Sequence, residues 1–108
     1  MEHAVPLNEA AVAHLSHSSM ALDVYTWLAQ RLHRVDPGKS VPVAWASLYV
    51  QFGEGYHRMV DFRRFFKRIL REVKAVYPQA RFSTDERGMC LRNSPPPVPR
   101  RLLQMPGG

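Results

Sequence analysis

The sequence of 108 residues contains a single cysteine, Cys90, so it can form neither an internal disulfide nor a zinc site built from cysteines. Long apolar runs are also missing, because none approaches the roughly eighteen residues that a membrane-spanning helix needs. The N-terminal stretch MEHAVPLNEA is neither basic nor apolar enough for a signal peptide. These absences predict a soluble protein of the cytoplasm.

The recurring motifs of enzymes are missing as well. The nine acidic residues are scattered along the chain without paired carboxylates, and the sequence has no glycine-rich phosphate loop and no Ser-His or Cys-His arrangement. His14 and His17 have no third ligand nearby, so a metal site is not expected. We therefore expect no catalytic residues, no cofactor and no metal.

Positive charge, by contrast, is plentiful. Fifteen Lys and Arg residues against nine Asp and Glu residues give a net charge of +6 and an isoelectric point near 10.1. Such an excess favours a nucleic acid or another anionic surface as the partner. An apolar content of 45% with 10% aromatic residues predicts that the chain folds, and its length allows one compact domain.

The cations concentrate between Tyr56 and Tyr77, where seven of the fifteen lie from Arg58 to Lys74. Apolar residues in this stretch recur at i, i+3, i+4 and i+7, which predicts one helix over 56–77 with an apolar and a cationic side. The apolar side consists of Phe62, Phe65, Phe66, Ile69, Leu70, Val73 and Val76, and the cationic side consists of Arg63, Arg64, Lys67, Arg68, Arg71 and Lys74. Neighbouring cations on one helix side repel one another, and a facing polyanion would relieve the repulsion. A solvated surface is the alternative interpretation of such a side.

Shorter elements precede this helix. The sequence predicts a helix at Glu9–Leu15 capped by Asn8, a helix at Met20–Val35, an edge strand or extended lead-in at Lys39–Val43, and a helix at Ala44–Phe52. The turn Gly53-Glu54-Gly55 separates the last of these from the cationic helix. A short helix, a glycine turn and a longer helix have the spacing of a helix-turn-helix.

Two short alternating runs follow the cationic helix. Residues 80–84 (ARFST) and 89–92 (MCLR) flank a loop that ends in glycine, which predicts a β-hairpin. Phe82, Met89 and Leu91 are expected to face inward. The hairpin therefore has one side for the core and one for solvent.

The outward side of the hairpin would carry Arg81 and Arg92, with Arg87 at or near the tip. The order helix, short strand, helix, turn, basic helix and hairpin predicts a winged helix-turn-helix, a mainly α fold with a small β-hairpin in the α+β class. We assign this domain to residues 18–93, between an N-terminal arm with a short helix (1–17) and a Pro-rich tail (94–108).

Four stretches carry a resemblance to a known family: MALDVYTWLAQRL (20–32), VPVAWASLYVQFGEGYHRMVDFRRFF (41–66), VYPQARF (76–82) and GMCLRNSPPPV (88–98). Through them the sequence resembles the winged-helix segment of the RepA-type plasmid replication initiators. The resemblance implies binding to repeated sites at a plasmid origin, opening of the duplex and recruitment of host replication proteins. It also implies a location on the plasmid or nucleoid. Initiators of this family are generally longer, so we expect a fragment or a shortened relative.

The resemblance also implies which residues contact DNA. Carried over by position, these are Gly53, Gly55 and Tyr56 of the turn and Arg58, Arg63, Arg64 and Lys67 of the helix.

The chemistry of the residues divides these contacts into two kinds. The N-terminal half of the helix would meet base edges, where an arginine contacts guanine bidentately for about 1–3 kcal/mol of discrimination. That half carries His57, Val60, Arg63, Arg64 and Lys67. Phosphate contacts are expected from Arg68, Arg71 and Lys74 further along the helix and from Arg81 and Arg87 of the wing.

Two other functions fit the same predicted fold. A winged-helix transcriptional repressor would make the same DNA contacts and, as a homodimer, would bind a palindrome. A protein–protein interaction module would instead use the surface around Tyr49, Tyr56 and Met59. The expected partners are double-stranded DNA, host replication proteins and a second copy of the chain, and a membrane is not among them.

Overall fold

The computed structural model describes residues 8–97, which form four α-helices and a three-stranded antiparallel sheet. In chain order the elements are α1 (Glu9–Leu15), α2 (Ser19–Arg31), β1 (Ser40–Ala44), α3 (Trp45–Phe52), α4 (Met59–Val76), β2 (Arg81–Thr84) and β3 (Gly88–Arg92). The predicted α+β class is confirmed, and the arrangement is compatible with a winged helix. Residues 1–7 of the predicted arm and 98–108 of the predicted tail lie outside the described range.

The first two helices begin where polar side chains cap them. The side-chain oxygen of Asn8 accepts hydrogen bonds from the backbone of Ala10 at 2.9 Å and Ala11 at 3.1 Å, as the sequence predicts. The Ser18 hydroxyl accepts one from Ala21 at 3.1 Å. These caps satisfy amide groups that the first turn of a helix leaves without partners, which explains where α1 and α2 begin.

The second helix ends earlier than predicted, because a 3-10 turn at Leu32–Arg34 replaces its last turn. Carbonyl groups in this region bond to residues that follow β3. The Asn93 amide donates to the Val35 carbonyl at 2.7 Å, and the Ser94 backbone donates to the Leu32 carbonyl at 3.2 Å. The first of these bonds spans 58 positions in the sequence, so no local pattern could have predicted it.

The predicted hairpin is confirmed, and β1 adds a third strand to it. β3 lies in the centre, with β1 and β2 on either side. The Trp45 amide, just after β1, donates to the Arg87 carbonyl at 3.2 Å. Because bonded positions alternate along an antiparallel pair, Pro42 faces the open edge, where no N–H is needed. β1 is therefore the edge strand that its proline predicts.

The cationic stretch forms one unbroken helix, α4, whose apolar side is buried. Phe62, Phe66 and Val73 have no exposed surface. The Phe62 ring packs edge-on against Trp45 and Tyr49 of α3, with centroid distances of 6.4 and 5.4 Å, the geometry that aromatic pairs prefer. These contacts fix the rotation of α4 about its axis and turn its opposite side to solvent.

The predicted bounds of this helix were too wide, since α4 begins at Met59 rather than Tyr56. Arg58 has an extended backbone, with φ of −121° and ψ of 134°. The Tyr56 ring packs against Phe62 and Phe65 at centroid distances of 6.1 and 5.5 Å. The Tyr56 ring reaches the apolar side of α4 from the segment before the helix, so Tyr56–Arg58 belong to the turn.

Two buried tyrosines hold the ends of the described chain. The Tyr25 hydroxyl accepts a hydrogen bond from the Asn8 backbone at 3.0 Å, and the Tyr77 hydroxyl donates one to the Pro95 carbonyl at 2.6 Å. Their rings meet edge-on at 6.0 Å. Burial, together with the nearby Tyr25, raises the pKa of Tyr77 to about 12, and burial also raises the pKa of Tyr25.

The raised pKa of Tyr77 predicts a loss of stability in alkali. The unfolded chain releases this proton near the ordinary tyrosine pKa of about 10, whereas the folded chain holds it to about pH 12. The free energy of unfolding should therefore fall between pH 10 and 12, by about 2–3 kcal/mol from this group. Tyr77→Phe should lower stability at neutral pH but flatten the alkaline decline, as measured by urea unfolding. Parallel pH curves for the two proteins would contradict this account.

Gly88 is the first residue of β3 and lies directly opposite Ala44, the last residue of β1. A side chain there would overlap the Val43 carbonyl oxygen and lie 2.9 Å from the Trp45 nitrogen. Its φ of +149° is also a conformation that side chains rarely adopt. Only glycine lets the hairpin reach the start of α3.

Gly88→Ala should therefore lower the free energy of unfolding by about 3 kcal/mol, through steric overlap added to backbone strain. Gly38→Ala is a matched control, because Gly38 has a φ of +83° with nothing within 4 Å of its missing side chain. The control should lose only the backbone cost, about 1–2 kcal/mol. Equal losses in chemical unfolding would show that the close approach at Gly88 does not matter.

Candidate nucleic-acid interface

The structure separates the six cations of α4 into two rows along the helix. The sheet-side row, which consists of Arg63, Lys67 and Lys74, lies toward α3 and the hairpin. The outer row, which consists of Arg64, Arg68 and Arg71, lines a cleft on the other side of the exposed face, and Arg71 also borders the hairpin side beside Lys67 and Lys74. The helical period places residues i, i+4 and i+7 or i+11 in line, which explains the straight rows.

Side chains of the sheet-side row rest on aromatic rings of neighbouring elements. The Arg63 guanidinium lies 5.3 Å and the Lys67 ammonium 5.8 Å from the Trp45 ring centroid. The Lys74 ammonium lies 5.3 Å from the Phe82 ring and donates to the Ala80 carbonyl. Cation–π contacts of this kind hold a charge in place without neutralising it. The row is thus kept in a fixed position beside the hairpin.

Arg63 differs from the other cations of α4 because it is half-buried. Its Nε atom has no hydrogen-bond partner within residues 8–97. Its guanidinium group would have to leave Trp45 to extend into solvent. Of the predicted base-contacting arginines, Arg64 is therefore the one that is already free to reach outward.

The outer row lines an open cleft. The Arg64 side chain is 79% exposed and lies 4.0 Å from Asp61, and the other two arginines are also exposed. The cleft measures about 460 Å³ and is completed by Tyr56, Asp61 and Phe65. Burial raises the pKa of Tyr56. The cleft therefore combines three arginine side chains with the aromatic rings of Tyr56 and Phe65.

The turn between α3 and α4 holds the remaining predicted residues of this region. Gly53 is buried and donates to the Tyr49 carbonyl at 2.7 Å, and Gly55 is exposed with a φ of +93°. The Tyr49 hydroxyl donates to the Tyr56 carbonyl, which ties the turn to α3. Predicted contacts His57 and Arg58 are exposed in this turn, and Arg58 lies 3.6 Å from Asp61.

Trp45 connects the hairpin tip to α4, a role that the sequence did not reveal. Its indole nitrogen donates to the Asp85 carbonyl at 2.9 Å, and its backbone donates to Arg87 at 3.2 Å. The Asp85 carboxylate in turn accepts from the backbone of Arg87 at 2.8 Å and Gly88 at 3.2 Å. The tip, with the exposed Arg87, is thereby fixed next to Trp45, the residue on which Arg63 rests.

Arg81 lies on the outward side of the hairpin, as predicted, but it is not next to Arg87. It opens β2, at the end of the hairpin away from the tip, and lies directly opposite Arg92. Side chains alternate between the two faces of a strand, and the next residue, Phe82, faces Lys74 of α4. Arg81 therefore points to the other face of the sheet and is not grouped with the cations of α4.

The Val60 side chain occupies an unusual place on this surface. It is 48% exposed, near the N-terminal end of α4. By helical spacing it lies between the two rows, with Arg63 at i+3, Arg64 at i+4 and Lys67 at i+7. An apolar group is thus set among cations in the half of the helix that was predicted to meet bases.

Neither a metal-binding cluster nor a membrane-spanning helix occurs in the described part of the chain. No group of three or more His, Cys, Asp or Glu side chains within residues 8–97 is placed to hold a metal ion. Likewise, none of the helices in that range combines the length and apolarity that crossing a bilayer requires.

A family model described as "Plasmid encoded RepA protein" matches residues 1–47. The match confirms the resemblance to the RepA-type family. The matched segment ends within α3. The cationic helix lies beyond it, so what α4 does has to be argued from its own geometry. Comparison with curated proteins and with solved structures found no significant match in either.

The bond from Trp45 to the hairpin tip predicts the effect of Trp45→Phe. The phenylalanine ring keeps the aromatic packing but leaves the Asp85 carbonyl without its donor, which should cost about 1–3 kcal/mol of stability. Backbone amides at the tip should also exchange faster with solvent hydrogen. Trp27→Phe is the matched control, since its indole packs on Phe52 at 5.4 Å and its nitrogen has no acceptor in the described range. Identical exchange at the tip in both variants would contradict the assigned role.

Proposed function

We propose that the chain binds double-stranded DNA sequence-specifically through a winged helix, as plasmid replication initiators do at repeated origin sites. In this proposal α4 is the recognition helix and the β2–β3 hairpin is the wing. The observation that carries it is the geometry of α4. One unbroken helix of 18 residues buries its phenylalanines and presents Arg64, Arg68 and Arg71 to solvent.

The topology supports this assignment. The order α2, β1, α3, α4, β2, β3, with the sheet order β1-β3-β2, is compatible with a winged helix. A helix of this diameter fits the major groove of B-form DNA. The hairpin tip and Arg63 of α4 both contact Trp45, which supports the proposal that helix and wing approach one duplex together.

The two halves of α4 suggest a division of roles. Arg64 and Lys67, in the N-terminal half of α4, would meet base edges, and Arg68 and Arg71 would meet phosphates. Val60 would face the one apolar group that the major groove offers, the methyl group of thymine. Phosphate contacts from the wing would come from Arg87.

The initiator role is supported by the family match over residues 1–47. We propose a binding protein rather than an enzyme, with the plasmid origin as its DNA. Host replication proteins and a second copy of the chain are further proposed partners. The protein–protein module and the transcriptional repressor remain the alternatives that the experiments below separate.

Two substitutions within the outer row test the division of roles. Arg64→Ala should weaken binding to a specific site far more than binding to random duplex, because a lost guanine contact removes about 1–3 kcal/mol of discrimination. Arg71→Ala should weaken both alike and lower the slope of log K against log salt concentration by about one. Fluorescence anisotropy at several salt concentrations measures both quantities. Equal effects of the two substitutions on specific and random DNA would overturn the division.

Selection of bound sites from a random duplex pool supplies the specific site and distinguishes the alternatives. Repeated sites without internal symmetry support the initiator, and a palindrome supports a dimeric repressor because site symmetry mirrors protein symmetry. A module that binds only proteins would select no site. It would also show no steep salt dependence with random duplex.

A further inference from the structure

A second group of cations lies on the exposed face of the sheet, at the end away from the hairpin tip. Arg81 of β2 and Arg92 of β3 are direct cross-strand neighbours, and Ser40 of β1 lies on the other side of Arg92. Lys39 precedes Ser40, and all of these residues are exposed. We call Lys39, Arg81 and Arg92 the sheet-end cluster.

Placing two arginines directly opposite each other costs the sheet stability, because like charges repel. No carboxylate within residues 8–97 forms an ion pair with either of them. A cost of this kind is offset when an anion binds between the two charges. The arrangement therefore points to a ligand that carries negative charge.

The cluster surrounds a concave site with fixed walls. The concavity measures about 320 Å³ and is lined by Pro37, Gly38, Lys39, Ser40, Arg81, Arg92 and Asn93. The Ser94 hydroxyl, which is buried, accepts from the Arg81 backbone at 2.8 Å and donates to the Arg92 carbonyl at 3.0 Å. Asn93 is held by its bond to the Val35 carbonyl. The backbones that carry the two guanidinium groups are thus positioned before any ligand arrives, which lowers the entropic cost of binding.

The sheet-end cluster faces away from the surface assigned to DNA. Phe82 is turned toward Lys74 of α4, so the preceding residue, Arg81, projects from the opposite face of the sheet. Arg92 is paired with Arg81 in register and shares its face. The face of the sheet that meets α4 carries Phe82, and the cluster lies on the opposite face. The ligand is therefore a different molecule or segment.

We propose that the sheet-end cluster binds the carboxylates of an acidic segment of a partner protein. Guanidinium groups form paired, charge-assisted hydrogen bonds with carboxylates, and two of them side by side favour closely spaced acidic residues. A concavity of this size admits single side chains, whereas a rigid duplex cannot enter it. The protein would then hold DNA on one face and an acidic partner on the other.

The test uses the full chain, a fluorescent oligoglutamate peptide and an oligoglutamine peptide as the uncharged control. The protein is first saturated with random duplex, so that the cations of α4 are occupied. The peptide with glutamates should still bind, and the control peptide should not. Displacement of the peptide by the duplex would overturn the proposal, because it would show that both bind the same cations.

Two double variants that each remove the same charge locate the site. Arg81→Gln with Arg92→Gln should lower the affinity for the peptide about tenfold or more and leave the affinity for duplex unchanged. Arg64→Gln with Arg71→Gln should do the reverse. Equal losses of peptide affinity in the two double variants would overturn the proposal, because they would show that the peptide responds only to the net charge of the protein. Weaker duplex binding in the first variant would assign the cluster to nucleic acid instead.

Lys39→Glu provides a test that leaves the sheet untouched, because Lys39 precedes β1. It should weaken binding of the peptide without lowering the free energy of unfolding, and unchanged peptide affinity would overturn the proposal. The experiments distinguish a failure of this inference from a failure of the proposed DNA binding. Loss of duplex binding alone would remove the proposed function, and loss of peptide specificity alone would remove the sheet-end site.

Discussion

The burial of the phenylalanine side of α4 is the interaction on which the rest of the structure depends. Phe62 and Phe66 pack against Trp45 of α3, with ring centroids 6.4 and 6.1 Å apart. Burying each such ring contributes about 1.5–3 kcal/mol, and rotating the helix would expose both. The same contacts that stabilise the core therefore determine which way the charges of α4 point. A change in the packing of α4 would therefore also change the position of its cations.

Patterns that repeat along the chain predicted much of this fold. The apolar period predicted α4, the alternating runs predicted the hairpin, and Asn8 predicted the start of α1. Features that depend on residues distant in sequence could not be predicted. The end of α2 depends on Asn93, and the separation of the α4 cations into two rows depends on Trp45 and the hairpin. A helical wheel shows which side is charged but not what lies beside it.

The positions of the arginines in the sheet illustrate the same limit. The alternating pattern predicted that Arg81 lies on the outward side of the hairpin and Arg87 at or near its tip, and both were expected to contact phosphates. The register shows how far apart they are, since Arg87 lies at the tip beside Trp45 and Arg81 at the far end of β2 opposite Arg92. A net charge of +6 is therefore not a single patch. It is distributed over α4 and the outward face of the sheet, for which we propose different anions.

The Trp45 indole contacts both the hairpin turn and the sheet-side row, and this has a consequence for how the protein would recognise the shape of DNA. Trp45 bonds to Asp85 and also supports Arg63, so the distance between wing and helix is set by the protein rather than adjusted to the ligand. DNA varies in groove width and stiffness with its sequence. On the proposed mode of binding, duplexes whose grooves already match this spacing would be preferred, even at base pairs that no side chain touches.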